Sequence, residues 1–417
     1  MQRTSAYLQV EFPGETPYYI DEVKEFAYSS DVMAVGDTCT FTVVLDPKGE
    51  ALQKLRLGAD LRLRLKNNAV NGGNWTLKHR GRIVQREASL KEGTVQVTSA
   101  DLGWHLTNCS APLWRRLRNI RLNELLDPQA KTNFLDPTFA LQGLRTGLDA
   151  NALQRRARQG KSVIGAQPYQ LYDPVQAVQV EPGESFYDVI TRYVQRDNLL
   201  INVTMDGYLQ AWNPDYDREP AYRFYCNSLE SNISDAKRFD DASTRYTDTV
   251  CVGEIINWGA QYNNDNPNAL KRRGFYKAKE DEKTGLPAPL PFTNRLTFGD
   301  GEMYTSAMAQ RQAEWRWKRG MFDSHYLQIE VLDHYQLGLW LESDEMAFVD
   351  IPQLEAVGLY YVQSVHCTGT EDRGDVTTVT LRWPHLLSAS WGEWRNPPKQ
   401  KSKEAQAALR RGKGGGQ

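Results

Sequence analysis

The sequence predicts a mainly β, multidomain protein with an α+β insertion: two β-barrel-like domains, a small β-α-β-β module and a few short helices. Three observations carry this. Short apolar/polar alternations recur in both halves of the chain, the clearest being Leu61-Arg62-Leu63-Arg64-Leu65, with one apolar and one charged face. Turn sequences such as Pro13-Gly14, Asp46-Pro47-Lys48-Gly49, Asn71-Gly72-Gly73 and Glu92-Gly93 separate the alternations. Between the two β regions, residues 180–212 switch from helical to alternating periodicity within one short stretch.

That stretch is the best-specified part of the chain. Pro182-Gly183 is a turn, and Ser185 is an N-cap with Asp188 three residues on. Phe186, Val189, Ile190, Tyr193 and Val194 then share one helical face. Leu199, Ile201, Val203 and Met205 alternate, and Asp206-Gly207 supplies a two-residue hairpin turn into 208–212. This register sets Met205 opposite Tyr208 and Ile201 opposite Trp212 beneath the helix, with Gln210 opposite Val203 as the exception.

In chain order, residues 1–105 form an N-terminal β-barrel domain, with strands expected over 7–12, 18–28, 39–45, 61–65, 75–85 and 94–99 and a short helix over 50–57. Residues 106–172 form a helical and irregular connector, with a helix over 114–126 stopped by Asp127-Pro128. Its basic run Arg155-Arg156-Ala157-Arg158-Gln159-Gly160-Lys161 reads as a solvated connector, the other reading being contact with phosphates or an acidic partner. The module occupies 173–225. A second β-barrel domain with one helix spans 226–390, with strands over 249–257, 325–332, 345–350, 358–366 and 376–383. Its segment 263–291 is expected to be a long loop, and its helix, over 302–319, to be closed by Gly320. The basic tail, 391–417, is expected to be disordered.

At 417 residues the chain can bury two or three cores, and 40% hydrophobic with 24% charged residues fits ordinary globular protein. A net charge of −2 argues against a dedicated nucleic-acid binder. The 11 Trp and 20 Tyr suit large assembly surfaces as well as cores. The start, MQRTSAYLQVEF, lacks a signal-peptide run, and no apolar stretch approaches the ~18 residues of a membrane-spanning segment. Cys39, Cys109, Cys226, Cys251 and Cys367 are odd in number and lack CxxC spacing, so they read as buried or half-buried thiols in a reducing cytoplasm. The Asn-x-Ser/Thr sequences at Asn74, Asn108, Asn202 and Asn232 read as chance matches.

A search for catalytic chemistry finds no GxSxG, HExxH, P-loop or GxGxxG after a strand. His79, His105, His325, His334, His366 and His385 lie on or beside expected strands, none at metal-ligand spacing. Asp240-Asp241 and Asp344-Glu345 are adjacent carboxylates, which on a strand face opposite ways. The sequence therefore assigns no catalytic, cofactor-binding or metal residue and points away from an enzyme.

The order of pieces adds a resemblance. Ser99-Ala100-Asp101-Leu102-Gly103-Trp104 steps out of the first β domain, followed by VEPGESFYDVITRYVQRDNLL and DGYLQAW. Asn232-Ile233-Ser234-Asp235-Ala236, the helix sequence MAQRQAEWRWK and the strand pair 360–366 and 377–383 complete it. This order resembles the baseplate hub proteins of Mu-like contractile phages and, more remotely, the hub parts of other phage baseplates and of type VI secretion spikes. The segments 129–170 and 263–291 look like additions to that pattern. The resemblance implies a homotrimer whose two β-barrel domains, taken three times, match a sixfold tail tube to a threefold spike. It implies as partners a tail tube or tube-initiator protein, a central spike protein and baseplate wedge proteins. DNA would pass through the channel without sequence-specific binding. The location implied is the tail baseplate of a virion assembled in the host bacterial cytoplasm. A rival lies in VEPGESFYDVITRY, which also resembles the start of a LysM peptidoglycan-binding motif. A LysM unit would continue into a second helix with a Leu-Asn pair, whereas here an Asp-Gly hairpin follows.

Overall fold

The computed structural model describes residues 4–66, 74–111, 118–128, 134–135, 141–146, 174–178, 180–196, 199–216, 218–227, 230–253, 273–277, 292–300, 306–370 and 374–387. The Arg155–Lys161 run, most of 129–170 and 263–291, and the tail 391–417 lie outside these residues.

The N-terminal strands are β1 (Ser5–Glu11), β2 (Tyr18–Ile20), β3 (Val23–Asp31), β4 (Thr38–Val44), β5 (Asp60–Lys66), β6 (Thr76–Ser89) and β7 (Thr94–Asp101), with helix α1 (Glu50–Lys54) before β5. They run β3-β4-β7-β6-β5-β1-β2, antiparallel throughout. The single strand expected over 18–28 is two, broken at Asp21-Glu22. The alternation in β5 places Leu61, Leu63 and Leu65 fully in the core. Asp46 organises the turn before α1, its carboxylate accepting the N–H groups of Lys48, Glu50 and Ala51.

Next come α2 (Trp104–Asn108), β8 (Arg118–Arg121), α3 (Leu122–Leu126), β9 (Gly143–Thr146), β10 (Pro174–Ala177), α4 (Phe186–Arg196), β11 (Leu200–Val203) and β12 (Tyr208–Trp212). The continuous helix expected over 114–126 is in its described part a strand followed by one short helix; the strand pairs with β10. The start of α4 is a reciprocal cap: Ser185 N–H donates to Asp188 (3.0 Å), and Asp188 N–H donates to Ser185 Oγ (3.1 Å). The five apolar residues of its expected face are all buried.

The hairpin register differs from the expected one by a residue. Leu200 faces Trp212, Ile201 faces Ala211, Asn202 faces Gln210 and Val203 faces Leu209. The loop has three residues, Met205-Asp206-Gly207, with Gly207 at φ 85° and the Tyr208 carbonyl accepting from Thr204 N–H at 2.8 Å. Sequence reasoning took Asp-Gly for a two-residue turn, but Gly in the left-handed region also closes a three-residue loop. The slip exchanges faces. Ile201, Val203, Leu209 and Ala211 join α4 in one core, while Leu200 and Trp212 join the main β core. Gln210, the misfit of the expected register, lies opposite Asn202. Leu125, Leu126, Phe134 and Leu135 complete the α4 core, and β9 adds a parallel strand beside β12.

The C-terminal strands are β13 (Tyr222–Tyr225), β14 (Asp235–Asp240), β15 (Asp248–Gly253), β16 (Arg273–Lys277), β17 (Arg295–Asp300), β18 (His325–Val331), β19 (Tyr335–Gln336), β20 (Leu339–Trp340), β21 (Met346–Ile351), β22 (Ala356–Thr370) and β23 (Gly374–Arg382). Helix α5 (Ser306–Asp323) precedes β18. Six of these strands run β14-β18-β23-β22-β21-β13. This repeats the N-terminal order β3-β4-β7-β6-β5-β1, with one departure: β13 and β21 are parallel where β1 and β5 are antiparallel. The segment expected to be a long loop contains β16, which pairs with β15 in a small sheet packed on α5.

The two halves form one sheet. The second half of β22 pairs with β3 over seven residue pairs, from Ser364–Asp31 to Thr370–Glu25. One hydrophobic cluster runs from Leu8 and Leu61 through Phe41 to Leu327, Val365 and Leu381. The β-rich class expected from sequence is therefore present, but the barrels are not closed: among the described residues the main sheet is an open path ending at β2 and β14.

Gly320 is not the end of α5, which continues to Asp323. A Cβ there would collide with the Thr244 carbonyl and lie 2.8 Å from Tyr246 Cδ2. Glycine at 320 thus serves close packing rather than capping. Helix propensity alone would make Gly320→Ala stabilising by about 1 kcal/mol. The packing predicts a net loss of about 1–3 kcal/mol, read by denaturant unfolding. A gain would contradict it.

Candidate assembly surface

With no catalytic constellation assigned, the functional question becomes which surfaces of the open sheet are closed and which are left to partners. The joint between halves is reinforced by side chains. Ser30 Oγ lies 2.7 Å from Ser343 Oγ, and Gln363 Nε2 donates to both Asp31 oxygens at 3.2 and 3.3 Å. Asp375 accepts the Thr4 N–H at 2.6 Å. Lys78 is the extra residue at a bulge in β6, which turns both Lys78 and His79 inward. Its buried ammonium reaches Glu342 at 2.5 Å and lies 4.9 Å from the Trp340 ring centroid.

The outer edge of β13 is closed by side-chain amides. Gln336 accepts the Arg223 N–H and donates to the Arg223 carbonyl, at 2.9 and 2.8 Å. Asn232 does the same for Tyr225 N–H (2.9 Å) and Arg223 O (2.7 Å). The Asn232 motif thus blunts a strand edge. At the opposite end β2 presents Tyr19, 53% exposed and stacked on Tyr7, with Trp75 on the other side of Tyr7 at 5.3 Å. Phe348 and Leu359, directly opposite each other, and Val357 make a second exposed apolar group. Edge β14 is exposed and charged, with Phe239 stacked on Tyr326 at 4.8 Å.

Among the described residues, chemistry-bearing side chains converge around Thr377, at a place the sequence does not indicate. Thr377 Oγ1 donates to the Asp333 carbonyl (2.7 Å), lies 2.7 Å from His334 Nδ1 and 3.6 Å from Cys367 Sγ, and Asp375 is 3.7 Å from His334 Nε2. Asp333 and His334 lie more than thirty positions from Cys367, Asp375 and Thr377, and the two groups meet because β23 pairs with both β18 and β22. Burial holds the Cys367 thiol up at about 11 and lowers His334 to about 4. A protonated thiol beside a neutral imidazole is not an activated nucleophile. His79 is similarly buried against Ser99 Oγ at 3.0 Å and lowered to about 4. His325 bonds Asp240 at 2.9 Å and stacks on Trp383 at 3.8 Å. His105 lies 3.1 Å from an Arg82 nitrogen, and His366 and His385 are on the surface. None of the five cysteines is in a disulfide. Among the described residues, no three His, Cys, Asp or Glu side chains are grouped to hold a metal ion. No helix there is long and apolar enough to cross a membrane.

Of the two carboxylate pairs, Asp240-Asp241 separates and Asp344-Glu345 converges. Asp241 accepts from its own turn at Ser243 N–H and Oγ, both at 2.8 Å, while Asp240 faces His325 and Arg238. Asp344 and Glu345 do not face opposite ways, because Asp344 has φ 59° and precedes the strand. Both reach the buried guanidinium of Arg218, at 3.4 and 3.1 Å. Tyr361 donates to Asp344 at 2.8 Å, so this node ties the hairpin's exit to β22.

Comparisons place this fold. The chain superimposes on a tail protein from Neisseria meningitidis MC58 with TM-score 0.65 and 14% identity, covering 92% of this chain and 98% of that one. It matches the 43 kDa tail protein of prophage MuSo2 from Shewanella oneidensis with TM-score 0.64 and 12% identity, covering 91% and 98%. An Escherichia coli type VI secretion component, described as structurally similar to T4 bacteriophage tail proteins, matches with TM-score 0.50 and 10% identity over 91% of this chain and 77% of that one. No family model and no curated protein matches by sequence. The chain thus has the fold of phage tail proteins.

The Ser99–Trp104 step is built around half-buried carboxylates at the base of the joint. Asp101 accepts from Gly103 N–H (2.8 Å) and Trp104 N–H (3.2 Å), and Asp37 accepts from Asp31 N–H (3.1 Å). Burial raises Asp101 to about 7; burial and the neighbouring Asp101 raise Asp37 well above the carboxylate range. Between about pH 4 and 7 the folded chain therefore holds more protons than the unfolded one, so this pair costs stability as pH rises. Asp101→Asn keeps the accepting oxygen and removes the charge. Its melting midpoint should rise by about 2–4 °C at pH 8 and not at pH 4; a fall at pH 8 would contradict the assignment.

Proposed function

We propose that the chain is a structural virion protein of a contractile tail, a trimeric baseplate hub that joins a sixfold tail tube to a threefold spike. The observation that carries this is the repeated strand order within one chain of tail-protein fold. Three copies of a duplicated unit present six similar faces to one partner and three identical ones to another. In this reading the two ring-forming regions are 1–105 and 226–390, bridged by the connector 106–172 and the module 173–225. The tail 391–417 lies beyond them. The partners are the tube or its initiator, the central spike and the wedge proteins. DNA crosses the central channel at ejection without sequence-specific contacts, as the net charge of −2 suits. The protein sits in the tail baseplate after assembly in the host cytoplasm, and its work is mechanical rather than catalytic.

The exposed Tyr19 and Trp75, packed against half-buried Tyr7, support such a role, since Tyr and Trp are the side chains that anchor protein interfaces. The peptidoglycan-binding alternative is not favoured by the module: its helix is followed by a hairpin whose inner face is sealed under α4.

Native mass spectrometry across a concentration series tests the reading. A discrete trimer without a dimer plateau is expected. A strict monomer at tens of micromolar, where interfaces of ordinary size associate, would overturn the trimeric hub.

A further inference from the structure

The repeat extends to individual hydrogen bonds, and this fixes which strands meet between copies. In both units the long central strand carries a bulge residue on the side of the following strand, Val84 in β6 against β7 and Gln363 in β22 against β23. Just before the bulge, Ile83 N–H donates to Ala59 O (3.0 Å) and Gly58 N–H donates to Ile83 O (2.8 Å). In the second unit Val362 N–H donates to Glu345 O (2.8 Å) and Asp344 N–H to Val362 O (3.0 Å). Gly58 and Asp344 are both left-handed, at φ 84° and 59°. At the far edge, β3 ends in Asp31, whose Oδ1 accepts from Met33 N–H at 2.8 Å. β14 runs into Asp241, whose Oδ1 accepts from Ser243 N–H at 2.8 Å. Ladder registers extend the correspondence: Tyr28 opposite Cys39 matches Arg238 opposite Leu327, and Ile83 opposite Ser99 matches Val362 opposite Leu381.

One pairing lacks its counterpart. β3 is seated on the second half of β22, past the bulge. The matching half of β6, residues 85–89, has β7 on one side and no strand on the other among the described residues, since β5 pairs only as far as Arg82. The matching edge strand, β14, pairs among the described residues with β18 alone. Residues 85–88 are exposed, as is most of β14.

Resting on the trimeric reading above, we infer that residues 237–241 of one copy pair antiparallel with residues 85–89 of the next, in the register of the β3–β22 joint. That register sets Arg86 opposite Asp240, Glu87 opposite Phe239 and Ala88 opposite Arg238. The contact is head-to-tail, so three copies alternate three internal joints with three between chains and close the sheet path into a ring. Charges fit: Arg86 meets Asp240, and Glu87 lies diagonal to Lys237. The internal joint has Val365 and Ser30 where the outer one has Arg86 and Asp240. Charged edges keep unassembled copies from pairing at random.

The test is the pair Glu87→Cys with Phe239→Cys. Within one chain β14 and β6 are seven strand steps apart, on the order of 30 Å, so a disulfide between them must link two copies. Non-reducing electrophoresis should show a disulfide-linked trimer in the double variant and none in either single variant. A trimer by native mass spectrometry that forms no such disulfide would overturn this interface while leaving the hub reading intact; a monomer overturns both. As a second measure, Lys237→Glu should weaken trimer formation about five- to tenfold, and adding Glu87→Lys should restore it. Unchanged association in Lys237→Glu would count against the register.

Discussion

The seven residue pairs between β3 and β22 are the constraint on which the rest of the molecule depends. They merge strands separated by more than three hundred residues into one sheet, and they place Asp31, Gln363, Ser30 and Ser343 within bonding distance. They also fix the direction in which the second unit follows the first. A duplicated unit joined edge to mid-strand is polar: it has a head and a tail. That polarity leaves one half-strand and one edge strand unmatched at its two ends.

Edge management agrees with this polarity. The outer edge of β13 has its backbone groups filled by Asn232 and Gln336, as a surface meant to stay single would require. The edge of β14 has no strand beside it other than β18 among the described residues, its side chains are mostly charged, and residues 85–88 are exposed. Buried and half-buried polar groups cluster where units meet. Lys78, His334 and the Asp37–Asp101 pair all sit at the join between halves or at the step out of the first unit. Their withdrawal from water is offset by the hydrogen bonds and ion pairs they make there.

Much of this fold was legible in the sequence, and the misses share a cause. Alternation located most strands of both β regions, and the Ser185–Asp188 cap and the helical face from Phe186 to Val194 are as the residues indicate. Local signals failed where a contact from elsewhere decides. Gly320 looks like a helix cap until Thr244 and Tyr246 are seen beside it. The Asp206-Gly207 loop admits two lengths, and burial of Trp212 against the main core selects the longer. Asp344 and Glu345 looked like chance neighbours because their partner, Arg218, lies more than a hundred residues away. Closed barrels are not found among the described residues, and one open end of the sheet path, β14, is also a strand of the inferred joint between copies.

End-on views of the assembled protein by single-particle electron microscopy test the central claim, that one chain supplies two equivalent units of a closed ring. The account predicts a ring of six similar lobes around a central opening, threefold in symmetry, with alternate lobes distinguishable. Three lobes only, or an open chain of units without closure, would contradict it.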